Sequence, residues 1–412
     1  MSRESEADHP GEAVLPGALP EALRAELVAF RRDMHMHPEL GNQEFRTTAA
    51  LKERLERAGL EPRVLDLGTG LVCDIGDVGG SEGERFGVLA LRADIDALPI
   101  PDTKTDCAYR STVPDRAHAC GHDVHTAVVL GAGLVLADLH RQGLLPRPVR
   151  LIFQPAEEVL PGGASDAIKS GVLEGVGRII AVHCDPKVDA GRIGLRHGPI
   201  TSACDRLEIS LDGPGGHTAR PHLTTDLVTA AARVATDVPA LVARRIDGRS
   251  GLAVTWGRIE SGHACNVIPQ HAELAGTVRC LDLDAWRAAP DLVHAAVDEI
   301  AGIYRAKTEI NYVRGVPPVV NNPDVTDLLR DAMTARRGQD AVEDTSQSLG
   351  GEDFSWYLEH VPGAMARLGV RRSGDRVSRD LHQGDFDADE AAITVGVELF
   401  TAAALLDGAA RP

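Results

Sequence analysis

The sequence predicts an α/β protein, a mostly parallel sheet with helices on both faces, interrupted by a smaller inserted α+β domain. Three observations predict it. Residues 88–91 are an apolar run without alternation, as a strand buried on both faces requires, and 149–153 and 178–183 read as two further buried strands. Helical stretches separate these runs, and strand–helix alternation builds parallel sheets. After about Thr201 the order of elements changes, and after Pro317-Pro318 the first pattern resumes.

Each element has a local reason. Leu23, Leu27, Phe30 and Met34 repeat at helical spacing behind Pro20, which suits a first helical position, so a helix is expected over 20–34. A second is expected over 45–58, stopped by Gly59. Helices at 123–139 and 163–173 alternate with the three buried strands. Beyond Thr201, residues 206–211 alternate as a half-exposed strand, and 225–246 form a long helical stretch interrupted at Pro239. Strands follow at 252–259 and 273–281, a helix at 283–306 and a strand at 308–313. That order is strand–helix–strand–strand–helix–strand, the ferredoxin-like arrangement. The expected division is a loose tail at 1–19, one α/β domain in two pieces at 20–200 and 316–408, and the inserted domain at 201–315.

Composition narrows the function. A chain of 412 residues suits two domains on a prior of roughly 100–200 residues each. With 43% hydrophobic and 25% charged residues it is globular in composition, not disordered. A net charge of −18 argues against a nucleic-acid partner, which needs a basic face. The longest apolar run, 127–137, is short of the roughly 20 residues of a membrane span, so no membrane partner is expected. Seven scattered cysteines argue against a disulfide framework and for a reduced, cytoplasmic protein. Residues 1–19 carry Glu4, Glu6, Asp8, Glu12, Pro10 and Pro16 with no apolar core, unlike a signal peptide.

Open α/β sheets carry function at the carboxyl ends of their strands. Asp94-Ile95-Asp96 follows the first strand, Gln154-Pro155-Ala156-Glu157-Glu158 the second, and His183 ends the third; His118-Ala119-Cys120-Gly121-His122-Asp123 precedes a helix. Singly, each has a plain structural explanation. Aspartates cap turns, paired glutamates serve a helix dipole, and a lone Cys is a small buried apolar group. Together, Cys120 and His122 two residues apart, Glu158 and His183 make up the ligand types of zinc and its neighbours. Glu157 and Glu158 point different ways, so one can bind metal while the other faces substrate. A hydrolytic metal site needs that second carboxylate as a general base.

Eight stretches occur in order: RRDMHMHPELGNQEF, ALRADIDALPI, HACGHDVHTA, FQPAEE, GPGGHTARPH, NVIPQHAELAGTVR, LGGEDFSWYL and LHQGDFD. The chain resembles, on these motifs and from about Phe30 to Leu406, the metal-dependent amidohydrolases related to aminoacylase, carboxypeptidase G, hippurate hydrolase and the plant auxin–amino-acid conjugate hydrolases. The resemblance implies a zinc-exopeptidase-like catalytic domain and a ferredoxin-like lid that also forms a homodimer. It implies two divalent metal ions, zinc or manganese first and cobalt or nickel as alternatives, on Cys120, His122, Glu158, His183 and His382. Glu157 matches the family's catalytic glutamate and Asp96 an aspartate behind the site. His217 matches a histidine that reaches the scissile carbonyl, often from a partner subunit. Asn266 and Arg279 match residues that hold the substrate's carboxylate or carbonyl. The implied reaction is hydrolysis of the amide bond of an N-acyl amino acid or similar small amide by a metal-bridged water. A dipeptide or carbamoyl-type amide suits the same apparatus. A catalytically dead metal-bound binding protein would be expected to lack a ligand or the base, and all are present. Three departures stand out, the first being Asn42-Gln43 in place of the more usual Gly-Phe/Glu pair. His382-Gln383-Gly384 replaces the family's His-x-Pro, which predicts a looser turn, and Val159-Leu160-Pro161-Gly162-Gly163 is longer than the Gly-Gly run of relatives.

Overall fold

The computed structural model describes residues 17–80, 83, 87–372, 374 and 379–407, so residues 1–16 of the expected tail lie outside the described residues. The chain forms two compact units. One takes the chain up to His197, Asn321–Thr345 and the chain from Tyr357 onward; the other takes Gly198–Val320 and Ser346–Trp356.

In chain order the first unit begins with α1 (Glu21–Met36), α2 (Phe45–Arg57), β1 (Arg63–Val64), β2 (Leu71–Ile75), β3 (Val88–Asp94) and α3 (His122–Arg141). β4 (Val149–Gln154), α4 (Ala164–Lys169), β5 (Val176–Asp189) and β6 (Ile193–Leu195) follow. The second unit supplies β7 (Cys204–Asp212), α5 (Leu227–Arg244), β8 (Ala253–Ser261), β9 (His271–Arg279), α6 (Leu283–Ile303) and β10 (Lys307–Val316). The chain returns to the first unit with α7 (Pro323–Arg337), β11 (Val342–Asp344), β12 (Gly363–Arg371) and α8 (Ala391–Asp407).

The first unit is built on one eight-stranded sheet in the order β1-β2-β4-β3-β5-β12-β6-β11. Its centre, β4-β3-β5-β12, is parallel, and β3 and β4 are buried along their whole length. This is the mostly parallel α/β sheet expected from the unalternating runs. α3 packs on β3 and β4 and is covered by α1 and α8. It is long and apolar enough to cross a membrane, but 89% of that window is buried inside the protein, so its apolarity serves the core. α3 starts where it does because Gly121 has φ +86, and a Cβ there would lie 2.6 Å from the Cys184 sulfur. Only glycine takes both that conformation and that approach.

The second unit carries an antiparallel sheet in the order β8-β9-β7-β10, with α5 and α6 packed together. Ser346–Trp356 joins it through the Ser202 hydroxyl, which donates to Leu349 O at 2.7 Å, and through Trp356, whose ring lies 5.9 Å from that of Trp286. The interruption expected at Pro239 does not occur: α5 runs through it. Proline leaves the carbonyl four residues back without its N–H partner. Here the Trp256 indole N–H supplies the missing donor, 2.9 Å from Ala235 O. Pro290 within α6 is handled alike, with the Arg314 guanidinium donating to Trp286 O at 2.6 Å.

Candidate metal centre and active site

The first unit's sheet brings the distant polar motifs to one place. Asp96 lies two residues past the end of β3, Glu157 and Glu158 lie just past β4, and His183 stands on β5 beside Cys184. Cys120 and His122 flank the start of α3. His382 arrives on a turn with φ +63, and its N–H donates to Ala119 O at 2.8 Å, which ties that turn to the Cys120 segment. The looseness expected from Gly384 is not found. Its carbonyl takes the Thr103 N–H at 2.8 Å, and a Cβ at 384 would lie 2.3 Å from Pro101 O, so the turn is packed too closely for a larger residue.

The donor atoms converge. One atom each of Cys120, His122 and Glu158 lies within 4.8 Å of the others. Cys120 Sγ is 3.6 Å from His183 Nε2, His122 Nε2 is 3.7 Å from Glu158 Oε1, and His382 Nε2 is 3.6 Å from the same Glu158 oxygen. Both buried rings present the same nitrogen. His122 Nδ1–H donates to Asp96 O at 2.9 Å and His183 Nδ1–H to Cys184 O at 2.8 Å, so each Nε2 faces the cluster, His183 with a lone pair and His122 with one that is freed when its Nε2 proton leaves. Among the described residues, buried His122 Nε2 and Glu158 Oε1 have no hydrogen-bond partner. Lone pairs of sulfur, nitrogen and oxygen facing one buried space suit a divalent cation, since unpaired burial of such atoms is costly.

Electrostatics agree with that fit. Burial pushes the Cys120 thiol well above its ordinary value, with Glu158 adding to the push. Burial also pushes Glu158 up to about 7, against the pull of His122. A bound cation reverses both shifts, because it stabilises the thiolate and the carboxylate. Burial opposes charge on His122, but Asp94 and Asp96 hold its pKa well above the usual imidazole value.

Two aspartates support this set. Asp96 accepts the Glu157 N–H on one oxygen and the Glu158 N–H on the other, both at 3.0 Å. Asp94 is completely buried; its Oδ1 takes His125 Nδ1–H at 2.6 Å and its Oδ2 takes the Arg92 guanidinium at 2.6 Å. His125 then accepts Cys184 N–H on Nε2 at 2.8 Å, so both its nitrogens are committed and it is no metal ligand. Glu157 Oε2 lies 3.9 Å from His122 Nε2, at the margin of the cluster.

His217, Asn266 and Arg279 lie in the second unit. His217 sits in a two-residue strand, Gly216–His217, paired with Val267–Ile268, and it is exposed. Its Nδ1 accepts the Ala219 N–H at 3.0 Å, and Asn266 O takes the Thr218 N–H at 3.2 Å. Arg279 donates to Leu349 O. Two buried groups escaped the sequence reading. Arg31 reaches Asp123 at 2.6 Å and Asp387 at 3.0 Å, and Glu44 accepts the Ala156 N–H at 2.8 Å. Arg31 and Glu44 both fall inside the first motif stretch, but nothing in the spacing marks their partners.

An α/β sheet with thiolate, imidazole and carboxylate donors gathered beyond its strands, and a second carboxylate beside them, defines a metal-site hydrolase. The chain belongs to peptidase family M20/M25/M40, whose sequence model matches residues 90–406, and is a hydrolase of amide bonds. It is 38% identical over 371 residues to an N-acetyl-L-cysteine deacetylase of Bacillus subtilis, covering 90% of this chain and 85% of the relative. It is 46% identical over 382 residues to a putative glutamate–cysteine ligase of Rhodococcus jostii; the match covers 93% of this chain but only 47% of that longer relative. Among solved structures, a dinuclear metal-binding peptidase of the same family from Bacillus subtilis superposes with a TM-score of 0.81 at 33% identity, over 95% of this chain and 99% of that one.

Proposed function

We propose that the protein hydrolyses the amide bond of an N-acyl amino acid or a similar small amide, using two divalent metal ions and Glu157 as general base. The observation that carries this is the pair Glu157–Glu158, pinned side by side by Asp96, with Glu158 on the donor cluster and Glu157 at its margin. The deacetylase relative and the dinuclear neighbour support the reaction class and the metal count. Cys120, His122, Glu158, His183 and His382 would hold the ions, zinc or manganese first by donor type, with cobalt or nickel able to take the same set. Bound there, the ions supply Lewis-acid polarisation of the carbonyl and a water acidified toward neutrality.

The protein's own groups do the rest. Glu157 takes a proton from the attacking water and returns it to the leaving amine nitrogen. His217, with Nδ1 accepting from Ala219, carries its proton on Nε2 and donates to the developing oxyanion. Asn266 and Arg279 bind the substrate's carboxylate or carbonyl. The working unit is a cytoplasmic homodimer in which His217 serves the partner's site. A screen for liberated amine over a panel of N-acyl amino acids, with zinc, manganese, cobalt and nickel added in turn, tests this. Metal-dependent release from one or more of the panel is expected; no release with any metal would overturn it.

A further inference from the structure

We propose that Glu44 is a positioning residue for the catalytic pair, the clamp that holds the turn Ala156–Glu158 in the conformation that aims Glu157. The proposal rests on the reading of Glu157 as general base.

Ala156, immediately before Glu157, has φ +60, a left-handed conformation that a side chain disfavours. Something must hold it there. Its N–H donates to Glu44 Oε1 at 2.8 Å, and its carbonyl takes the Gly163 N–H at 2.8 Å. The next two N–H groups go to Asp96, both at 3.0 Å. Three consecutive backbone donors are therefore caught by two buried carboxylates, and among the described residues the first of the three is caught by Glu44 alone. The same Glu44 oxygen also takes the N–H of Asn42, a second left-handed residue at φ +64, at 3.0 Å. One oxygen thus fixes two strained turns that lie far apart in sequence.

Glu44 is itself held in place by burial and hydrogen bonds. It is fully buried at the start of α2, and its carbonyl accepts both the Thr48 hydroxyl at 2.6 Å and the Thr48 N–H at 2.9 Å. The Thr48 hydroxyl in turn takes the Gly70 N–H at 2.8 Å. The turn before it is seated on the site: a Cβ at Gly41 would lie 3.2 Å from Ala156 Cα and 3.3 Å from Asp96 Oδ2. Burial pushes the Glu44 carboxyl up to about 7. Its role needs only an accepting oxygen, which the neutral acid and an amide also provide.

The test uses the metal-loaded full chain and three variants: Glu44→Ala, Glu44→Gln, and Glu44→Ala combined with Ala156→Gly. Two measurements run in parallel, steady-state kinetics with metal content, and amide hydrogen exchange of a peptide covering residues 154–163. Glu44→Ala is expected to lower kcat by at least about tenfold with KM little changed and metal content retained, since a small misplacement of a reacting group costs up to ~10²-fold. Exchange at residues 156–158 should quicken. Glu44→Gln should stay within about threefold of wild type, because the acceptor remains. Ala156→Gly should recover much of the loss, because glycine adopts the left-handed turn without help; a merely structural role for Glu44 would not be rescued at that position. Should Glu44→Ala not fold, Glu44→Asp, one methylene too short to reach Ala156, takes its place in both measurements. Unchanged exchange at 156–158, or a kcat loss that follows metal loss and is not rescued by Ala156→Gly, overturns the clamp. Quickened exchange with undiminished kcat would support the clamp and instead remove Glu157 from the chemistry.

Discussion

Asp96 divides its two carboxylate oxygens between the N–H groups of Glu157 and Glu158, at 3.0 Å each. Its backbone carbonyl takes the His122 Nδ1–H at 2.9 Å. One residue thereby orients Glu157, Glu158 and the His122 imidazole, the proposed base and two of the proposed ligands. Asp96→Asn keeps a single accepting oxygen and turns an NH2 group toward a backbone N–H. A buried donor left unpaired costs roughly 1–3 kcal/mol, so a lower unfolding midpoint is expected together with a kcat loss of about tenfold or more. Urea unfolding and steady-state kinetics on the same preparation check both; wild-type kcat in the Asn variant would show that Asp96 does not orient the pair.

Glu157→Gln separates base from ligand. The amide is nearly the same size but cannot accept the proton, so turnover should fall by at least the ~10²–10⁴-fold typical of losing a general base. Metal content should not change, because Glu158 and not Glu157 lies in the donor cluster. Elemental analysis beside the rate assay gives the answer; an active Gln variant would sink the assignment.

The contrast between what the sequence announced and what it hid follows the range of each interaction. β3 and β4 were legible because strands buried on both faces carry mostly apolar residues without alternation, and Cys120, His122, Glu157, Glu158 and His183 stood out as a candidate set because metal chemistry calls for those residue types. β6 and β11, three residues each, are too short to show a period. The passage of α5 through Pro239 depends on Trp256, a residue of another element. Glu44 reads as an ordinary acidic helix start, because its partner Ala156 is 112 positions away. Arg31 meets Asp123 across 92 positions. Local pattern records burial and residue type, and it does not record who pairs with whom across the fold.

Metal affinity should rise with pH. Without metal, burial keeps the Cys120 thiol protonated well above its ordinary range and holds Glu158 near 7. Both must lose protons to bind, so binding releases protons and weakens as pH falls. His122, its pKa held high against burial by Asp94 and Asp96, sheds a further proton, so between pH 6 and 8 the logarithm of the association constant should climb by about two to three per pH unit, one for each proton displaced. Competition with a chromophoric chelator across that range measures the slope. A slope lower by one across the whole range would mean that Cys120 is not a thiolate ligand. Alkylation of Cys120 should correspondingly be blocked in the metal-loaded protein, while Cys107, Cys204 and Cys265 show no metal dependence.

Arg31 is buried and paired with Asp123 at 2.6 Å and with Asp387 at 3.0 Å. It ties the segment behind His382 to the start of α3. Arg31→Met leaves Asp123, Asp387 and Glu390 without their shared cation, and breaking a buried pair from one side costs roughly 3–5 kcal/mol. The pH dependence has a definite sign. Burial would raise the Asp123 pKa, but Arg31 and His35 hold it well below the usual carboxylate range. Its stabilisation is therefore fully present above the unfolded value of about 3.9 and is lost only as pH falls through the depressed folded value. In Arg31→Met that folded value moves up, so acid unfolding should begin at higher pH. Unfolding midpoints from pH 3 to 7 for both proteins decide it; parallel curves would show that Arg31 does not set the Asp123 charge.

The homodimer reading makes the last prediction. His217 is exposed on a short glycine-flanked strand, and its Nδ1 accepts from Ala219, so the proton-bearing Nε2 is left to act outside its own loop. β8 lies at the edge of the antiparallel sheet, and an edge strand presents backbone donors and acceptors suited to pairing with a twin. If His217 completes the partner's site, two dead chains should rescue each other. Mixing Glu157→Gln with His217→Ala under conditions that exchange subunits gives mixed dimers in which one site lacks both groups and the other has both. Statistical exchange makes about half the dimers mixed, each with one intact site, so about a quarter of wild-type activity should return for independent sites. Exchange is verified separately by mass-tagged chains. No recovery despite verified exchange would place His217 in its own chain's site or outside the chemistry, whereas recovery near a quarter requires two chains to build one active site.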